Sequence, residues 1–207
     1  MTGYVSGDLT TDEGSVAFLS SAEQSLEVAH LLNCPRLNVH GTGLDNGGRR
    51  CIRASRSLAP IGSQRLRRSA SWRVSVSGLG RYSPWRISIR VDHPGTPFAR
   101  SEDTARLVRE VGSSALRLNY DIYHAQIDEG NLIERILGLL PWVVEIQVAD
   151  VPGRQEPGTG EINYPAIARA FHGADYEGII ALEAWASGDP DAALDRFREA
   201  FQGAAQA

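Results

Sequence analysis

The sequence of 207 residues predicts an α/β fold that is built on a parallel β-sheet. Short apolar stretches alternate strictly with stretches of helical periodicity over the second half of the chain, which is the order of repeated β/α units. The apolar stretches contain few polar residues in their interiors, as is typical of parallel strands that are covered on both faces. Their polar residues lie at or near the C-terminal ends, where β/α proteins build active sites.

The first helix and strand are predicted in the N-terminal part of the chain. Ser20 and Glu23 have the spacing of a capping box, and apolar residues follow at helical spacing until Pro35 ends the helix. Residues 36–41 (RLNVHG) then predict a short strand with His40 at its end.

Beyond residue 100 the alternation of helices and strands is regular. Helices are predicted at residues 101–113, 131–140, 163–173 and 189–202, and strands at residues 115–121, 142–150 and 178–185. Ser101, Asn163 and Asp189 are the predicted N-caps of three of these helices, and Gly112 and Gly173 mark predicted helix ends.

The charge of the chain is unevenly distributed. All 21 residues counted as lysine or arginine are arginines, and residues 46–91 contain 11 of them with none of the 25 acids. The net charge of −4 therefore conceals a strongly basic segment in an otherwise acidic chain.

Several protein classes are disfavoured by motifs that the sequence lacks. No apolar run has transmembrane length and no signal-peptide pattern occurs, so we expect a cytoplasmic protein. Neither GxGxxG nor a P-loop is present, which leaves no motif for nucleotide binding. Cys34 and Cys51 form neither a CxxC pair nor a disulfide framework.

Three polar residues at the ends of successive predicted strands could bind a metal ion. Asp121, Gln147 and Glu183 offer carboxylate and amide oxygens, which suit Mg²⁺ or Mn²⁺ better than zinc. Each residue also has a structural interpretation: a turn former, a solvated strand residue and the partner of an arginine, respectively. The sequence alone leaves both interpretations open.

Three further residues could contact a substrate. His124 lies three residues after Asp121 and can hydrogen-bond a substrate oxygen, or it is simply a polar loop residue. Arg154 can bind a substrate carboxylate in bidentate fashion, or pair with Glu156 at the surface. His40 can face the same pocket as a second substrate-binding residue, or be satisfied locally at the end of its strand.

Three long stretches of the sequence resemble one known family. They are residues 120–132 (YDIYHAQIDEGNL), 145–165 (EIQVADVPGRQEPGTGEINYP) and 178–189 (GIIALEAWASGD). Together they are similar to the hydroxypyruvate isomerase family, within the larger xylose isomerase-like barrel superfamily. The similarity extends from residue 91 to residue 201, and more weakly over residues 30–45. It implies a (β/α)8 TIM barrel of the xylose isomerase-like type.

The resemblance also implies roles for individual residues. Members of the family hold a divalent metal with Glu, Asp, Gln or His, and Glu, and three of these positions match Asp121, Gln147 and Glu183. His124 matches a histidine that contacts the substrate, and Arg154 matches an arginine near the substrate. Glu183 also matches one of the two glutamates that exchange the substrate proton, so we expect Glu183 and His124 to be catalytic.

The chain departs from the family pattern in two respects. A full barrel has about 250 residues and eight strands, whereas four strands and a fifth, weaker one at residues 85–91 are predicted here. We therefore expect residues 1–207 to be a single, incomplete barrel domain without the first two or three β/α units. The second family glutamate should precede residue 91, where this chain has Trp85 or Arg86 in its approximate place. Because that glutamate is absent, the chain lacks one metal ligand and one proton carrier that the resemblance implies.

The basic segment at residues 46–90 has two interpretations. We interpret residues 46–90 as an aberrant Arg- and Ser-rich stretch, translated from a shifted reading frame, and expect it to be disordered. The alternative is a genuine basic segment that contacts the phosphates of a nucleic acid. The family pattern resumes on both sides of the segment, which disfavours a nucleic-acid partner.

The resemblance implies a defined reaction and set of partners. The substrate is a small hydroxy-keto acid, with hydroxypyruvate and 2-hydroxy-3-oxopropanoate (tartronate semialdehyde) interconverted through a metal-stabilised enediolate, as in glyoxylate metabolism. Two alternatives remain: an isomerase or epimerase of a longer keto acid or ketose, and a non-catalytic remnant. Because an incomplete barrel exposes strand edges, pairing into a homo-oligomer is also expected.

Overall fold

The computed structural model describes residues 12–34, 36, 38, 83–86 and 100–202. The predictions for His40, for most of the strand that contains it and for most of residues 46–90 lie outside these residues. None of the described helices is long and apolar enough to cross a membrane.

The described elements alternate between helices and strands, as predicted. In chain order they are α1 (Asp12–Leu31), β1 (Ser83–Arg86), α2 (Ser101–Val111), β2 (Leu116–Asp121), α3 (Ile122–Asp128), α4 (Leu132–Leu139), a 3-10 helix (Leu140–Trp142), β3 (Val143–Val148), α5 (Tyr164–Gly173), β4 (Ile179–Leu182) and α6 (Pro190–Gln202). Strand β1 pairs with β2 in parallel, and β3 pairs with β4 in parallel. The predicted parallel pairing is therefore confirmed for these two pairs of strands.

The chain divides into two compact units, and the first is Met1–Asn119. Its described elements are α1, β1, α2 and most of β2. The strand predicted at residues 85–91 is described at Ser83–Arg86, where Arg86 lies opposite Asn119. Helix α2 buries an apolar face and ends as predicted at Gly112. The φ of Gly112 is 62°, in the left-handed region, which glycine adopts readily because it has no Cβ.

Two predicted helix starts in this unit are wrong. Helix α1 begins at Asp12, so Ser20 and Glu23 lie inside it and form no capping box. The hydroxyls of Ser21 and Ser25 show how serine is accommodated there, because each donates to a backbone carbonyl one turn earlier. Arg100, with extended backbone angles, is the N-cap of α2, and Ser101 is its buried first residue.

The second unit is Tyr120–Ala207, and it contains a core of apolar side chains from helices and strands. Helix α3 packs on β3, and α5 packs on both α4 and α6. The predicted caps are confirmed: Asn163 Oδ1 accepts from the amide of Ala166, and Asp189 Oδ1 accepts from the amide of Ala192. Gly173 is the last residue of α5, as predicted.

The pairing of β3 with β4 fixes the position of two candidate residues. Gln147 lies opposite Ala181, and Val148 lies opposite Leu182, the last residue of β4. Strand β4 is shorter than predicted, but the amide of Glu183 still donates to the carbonyl of Val148 at 3.0 Å. Gln147 and Glu183 are therefore held at the carboxyl ends of neighbouring strands.

Candidate active site

Asp121 connects the end of β2 to the start of α3. It is buried, and its Oδ1 accepts a hydrogen bond from the backbone amide of His124 at 3.2 Å, which makes Asp121 the N-cap of α3. The cap explains the spacing of three residues between Asp121 and His124. Helix α3 itself was not predicted, because its seven residues are too few for a clear apolar period.

His124 is buried beside two charged groups. Its Nε2 lies 3.2 Å from Asp121 Oδ2 and 3.3 Å from Arg154 Nη1. An Nε2 without a proton accepts from the guanidinium, whereas an Nε2 that carries a proton donates to the carboxylate. Which of the two contacts is a hydrogen bond therefore depends on whether Nε2 carries a proton.

Arg154 links the two candidate carboxylates. Its Nη2 donates to Glu183 Oε2 at 2.8 Å and to Asp121 Oδ2 at 3.4 Å. Its Cζ also lies 4.9 Å from the centre of the Tyr123 ring, within the range of a cation–π interaction. The structure thus brings four predicted site residues together in the Tyr120–Ala207 unit: Asp121, His124, Arg154 and Glu183.

Gln147 is a buried amide near the carboxyl end of β3. It is buried in β3, and its Nε2 lies 3.5 Å from Glu145 Oε1, at the limit of a hydrogen bond. Among the described residues, its Oε1 has no hydrogen-bond partner. A buried carbonyl oxygen without a partner is costly, and a bound cation would satisfy it.

These oxygen donors fit a hard divalent cation. Within the described ranges, no group of three or more His, Cys, Asp and Glu side chains is arranged to hold a metal ion, so a metal site here would have to include the amide of Gln147 beside Asp121 and Glu183. All three are oxygen donors, the class that Mg²⁺ and Mn²⁺ prefer.

Two tyrosines near the candidate site are buried: Tyr120, which precedes Asp121 in the chain, and Tyr164, which contacts the backbone just after β3. Burial raises the pKa of the Tyr120 and Tyr164 hydroxyls well above the usual value, so both stay neutral. The Tyr164 hydroxyl donates to the carbonyl of Ala149 at 2.6 Å, and the Tyr120 hydroxyl has no partner among the described residues. We assign neither hydroxyl a role in proton transfer.

Asp150 organises the loop that carries Arg154. Its carboxylate accepts hydrogen bonds from the amides of Val151, Gly158 and Ile162 at 2.9–3.0 Å. The loop is so tight that a Cβ at Gly160 would overlap the carbonyl oxygen of Val151. Sequence analysis missed Asp150, although the density of Gly and Pro after it is a signal of a structured loop.

Glu156 is the second residue that sequence analysis missed. It is buried, and it accepts from the Ser187 hydroxyl and from Arg196 Nη1 at 2.6 Å each, and from the Ser187 amide at 2.8 Å. The hydrogen bond from the Ser187 hydroxyl is the largest influence that lowers the pKa of Glu156 to about 2. The alternative pairing of Arg154 with Glu156 is therefore wrong, because each has another partner.

The described geometry is that of a β/α protein. Parallel strands that alternate with helices, with carboxylate, amide and guanidinium groups at or just after their carboxyl ends, are the arrangement of β/α proteins. The sequence model of the family described as xylose isomerase-like TIM barrel matches residues 2–204. The chain belongs to this family, which confirms the predicted fold class; the described residues form part of the parallel sheet.

Curated relatives of the chain are named as isomerases. It is 32% identical over 174 residues to a human protein named "Putative hydroxypyruvate isomerase", covering 84% of this chain and 62% of that protein. It is 37% identical over 92 residues to the hydroxypyruvate isomerase of Escherichia coli, covering 44% of this chain and 36% of that protein. Its identity to a 2-oxo-tetronate isomerase of Cupriavidus necator is 36% over 92 residues, with 44% and 35% covered. The resemblance noted in the sequence is confirmed, and the chain spans less than two thirds of the length of these relatives.

Solved structures agree with the fold. A structure of L-ribulose 3-epimerase has a TM-score of 0.78 at 16% identity, and the match covers 99% of this chain and 74% of that chain. A structure of the IOLI protein, in which a zinc atom is bound, has a TM-score of 0.66 at 12% identity, with 93% and 70% covered. At these identities the similarity is one of fold.

Proposed function

We propose that the chain is an isomerase of small hydroxy-keto acids that interconverts hydroxypyruvate and 2-hydroxy-3-oxopropanoate. The observation that carries this proposal is the cluster of Asp121, His124, Arg154 and Glu183 at the carboxyl ends of the strands. The names of the human and Escherichia coli relatives support the same substrate.

The proposed reaction needs a proton to leave one carbon and to return to its neighbour. Glu183 is the proposed base, and its carboxylate is held by Arg154 at 2.8 Å. Arg154 has further N–H donors that can bind the carboxylate of the substrate while it keeps Glu183 in place. We propose that His124 hydrogen-bonds the oxygen that gains negative charge.

A divalent metal, Mg²⁺ or Mn²⁺, is the proposed cofactor. Asp121, Gln147 and Glu183 would hold it, and when bound it would polarise the carbonyl and hydroxyl oxygens of the substrate. The partnerless Oε1 of Gln147 supports this assignment among the described residues. His40, for which a substrate-binding role is predicted, lies outside the described residues, so that role stays a prediction.

The proposal includes slow turnover. The resemblance implies a second glutamate on the strand before residue 91, and β1, with the sequence SPWR, has no acid. A single carboxylate must then remove and return the proton, or a weaker group must replace the second one. We expect a lower rate than two flanking carboxylates would support.

The test is conversion of hydroxypyruvate by the purified chain of 207 residues with Mg²⁺ or Mn²⁺, followed by NMR. Glu183→Gln should lower the rate by about 100-fold or more, because it removes the base. Glu177→Gln is the matched control, because Glu177 is an exposed acid just before β4. Absence of conversion with both metals, or equal rates for the chain and Glu183→Gln, would contradict the proposal.

A second candidate substrate is a longer keto acid or a ketose. The relative from Cupriavidus necator is named 2-oxo-tetronate isomerase, and a structural neighbour is an L-ribulose 3-epimerase. The same base and metal ligands would serve these substrates, and the size of the pocket would decide between them. A higher kcat/KM for 2-oxo-tetronate than for hydroxypyruvate would favour this candidate.

A further inference from the structure

We propose that Glu156 is a positioning residue that fixes the catalytic arginine and the catalytic glutamate relative to one another. Its carboxylate clamps the loop after β3, which carries Arg154, to the loop after β4, which follows Glu183. The catalytic consequence of this clamp rests on the proposed function, whereas the clamp itself does not.

The clamp is built from three side chains. Both oxygens of the Glu156 carboxylate are used: Oε1 accepts from Ser187 Oγ and Arg196 Nη1, and Oε2 accepts from the Ser187 amide. Glu156 is 1% exposed, whereas the side chain of Arg196 is 52% exposed. Bonds to an ionised, buried carboxylate are stronger than neutral ones, so this contact holds the two loops firmly.

Backbone hydrogen bonds connect the residues of the clamp to the segments next to Arg154 and Glu183. The amide of Trp185 donates to the carbonyl of Arg154 at 2.9 Å, and Gln155 forms a bridge with Trp185. Glu156 and Ser187 continue the same contact two residues further along each loop. The contact therefore runs between the segments that follow Arg154 and Glu183.

The backbone of Arg154 is the part that needs such support. Its φ is 54°, in the left-handed region that residues with a Cβ adopt only at a cost. A residue keeps this conformation when the surrounding structure holds it there. Loss of the clamp should let Arg154 relax, and its guanidinium would then leave Glu183 and the proposed site of the substrate carboxylate.

The clamp is tested by hydrogen exchange and mass spectrometry on the full chain. In Glu156→Gln we expect the amides of residues 183–188 to exchange about tenfold faster, because local opening becomes easier. Glu161→Gln is the matched control: Glu161 lies on the same loop, is exposed, and accepts only from Gln126 among the side-chain hydrogen bonds described for it. Unchanged exchange at residues 183–188 in Glu156→Gln would overturn the clamp.

Positioning through Arg154 is tested by a double-mutant cycle with tartronate, a substrate-like dicarboxylate that cannot isomerise. Glu156→Gln should weaken tartronate binding about tenfold in the native chain, and by less than about twofold in the Arg154→Met background. Equal weakening in both backgrounds would overturn positioning through Arg154.

Urea unfolding, which needs no ligand, compares the four chains of this cycle: the native chain, Glu156→Gln, Arg154→Met and the double variant. Non-additive effects of Glu156→Gln and Arg154→Met on the free energy of unfolding support the coupling, and additive effects contradict it. A chain that neither binds tartronate nor converts hydroxypyruvate would refute the proposed function alone, because hydrogen exchange and unfolding still decide whether the clamp exists.

Discussion

Arg154 is the residue on which the geometry of the candidate site depends most. Its guanidinium contacts Glu183, Asp121 and His124, and it lies over the ring of Tyr123. A planar group with several donors in fixed directions can make these contacts together. The ammonium of a lysine is a compact point charge and cannot reproduce them.

Arg154→Lys should therefore raise the KM for hydroxypyruvate by about 10- to 100-fold, since the charge remains but the bidentate geometry is lost. Steady-state kinetics with Mn²⁺ measures the effect. Arg198→Lys is the control, because Arg198 is an exposed residue that pairs with Asp195 in α6. If Arg154→Lys has a native KM, Arg154 does not bind the substrate carboxylate.

The loop that carries Arg154 has no room for a side chain at Gly160. In Gly160→Ala the new Cβ would overlap the carbonyl of Val151, so we expect a loss of about 1–3 kcal/mol in the free energy of unfolding. Gly138→Ala, in α4, has nothing within 4 Å of the new Cβ and should leave stability unchanged or higher. Urea unfolding compares the two, and equal stabilities would show that the loop opens at little cost.

At the scale of elements, the clamp between the two loops has a defined dependence on pH. The pKa of Glu156 is lowered from 4.5 to about 2 on folding, so its contribution to stability is present above pH 4.5. That contribution is lost as the pH falls from 4.5 towards 2, where the folded chain also becomes protonated.

The expected outcome is a steeper loss of stability in the native chain than in Glu156→Gln between pH 5 and pH 2.5. Urea unfolding at several pH values measures the difference between the two chains, which removes the contribution of the other carboxyl groups. Parallel curves would mean that Glu156 titrates in the folded chain as it does in the unfolded one.

The elements that the sequence predicted best are those with both an apolar period and a cap. Helices α5 and α6 are correct because Asn163 and Asp189 mark their starts. The predicted start of α1 at Ser20 is wrong because a capping-box spacing also occurs by chance inside a helix. Helix α3 was missed because it is short, and its cap, Asp121, was interpreted as a metal ligand or a turn former rather than as a helix start.

The candidate site was predicted in part for the same reasons. Residues at strand ends were found because the carboxyl edge of a parallel sheet collects them, and family resemblance assigned their roles. Asp150 and Glu156 were missed, because their partners lie 12 and 31 residues away and no local pattern reports such contacts. Long-range hydrogen bonds of loops are visible only in three dimensions.

For the molecule as a whole, the metal is the strongest test of the proposed site. A cation that binds only the folded chain stabilises it by about 2.7 kcal/mol at 100 times its Kd. Mn²⁺ should therefore raise the midpoint of thermal unfolding, and EDTA should reverse the effect.

Asp121→Asn separates the metal from the fold in this experiment. The amide oxygen can still cap α3, so stability without metal should change little, whereas the increase caused by Mn²⁺ should fall. Asp195→Asn, at an exposed position of α6, should respond to Mn²⁺ as the native chain does. An equal increase in all three chains would mean that Mn²⁺ binds elsewhere.

The two oxygens of Asp121 also bear on how this sequence can evolve. Oδ1 caps α3, while Oδ2 lies beside His124 and Arg154, so one side chain serves both the fold and the candidate site. A descendant that abandoned catalysis would still keep this aspartate to start its helix. The amide oxygen of Gln147 makes no hydrogen bond within the described residues, so that oxygen adds no hydrogen bond to the described fold. Among distant copies of this chain, a glutamine retained at position 147 is therefore a better sign of activity than an aspartate retained at position 121.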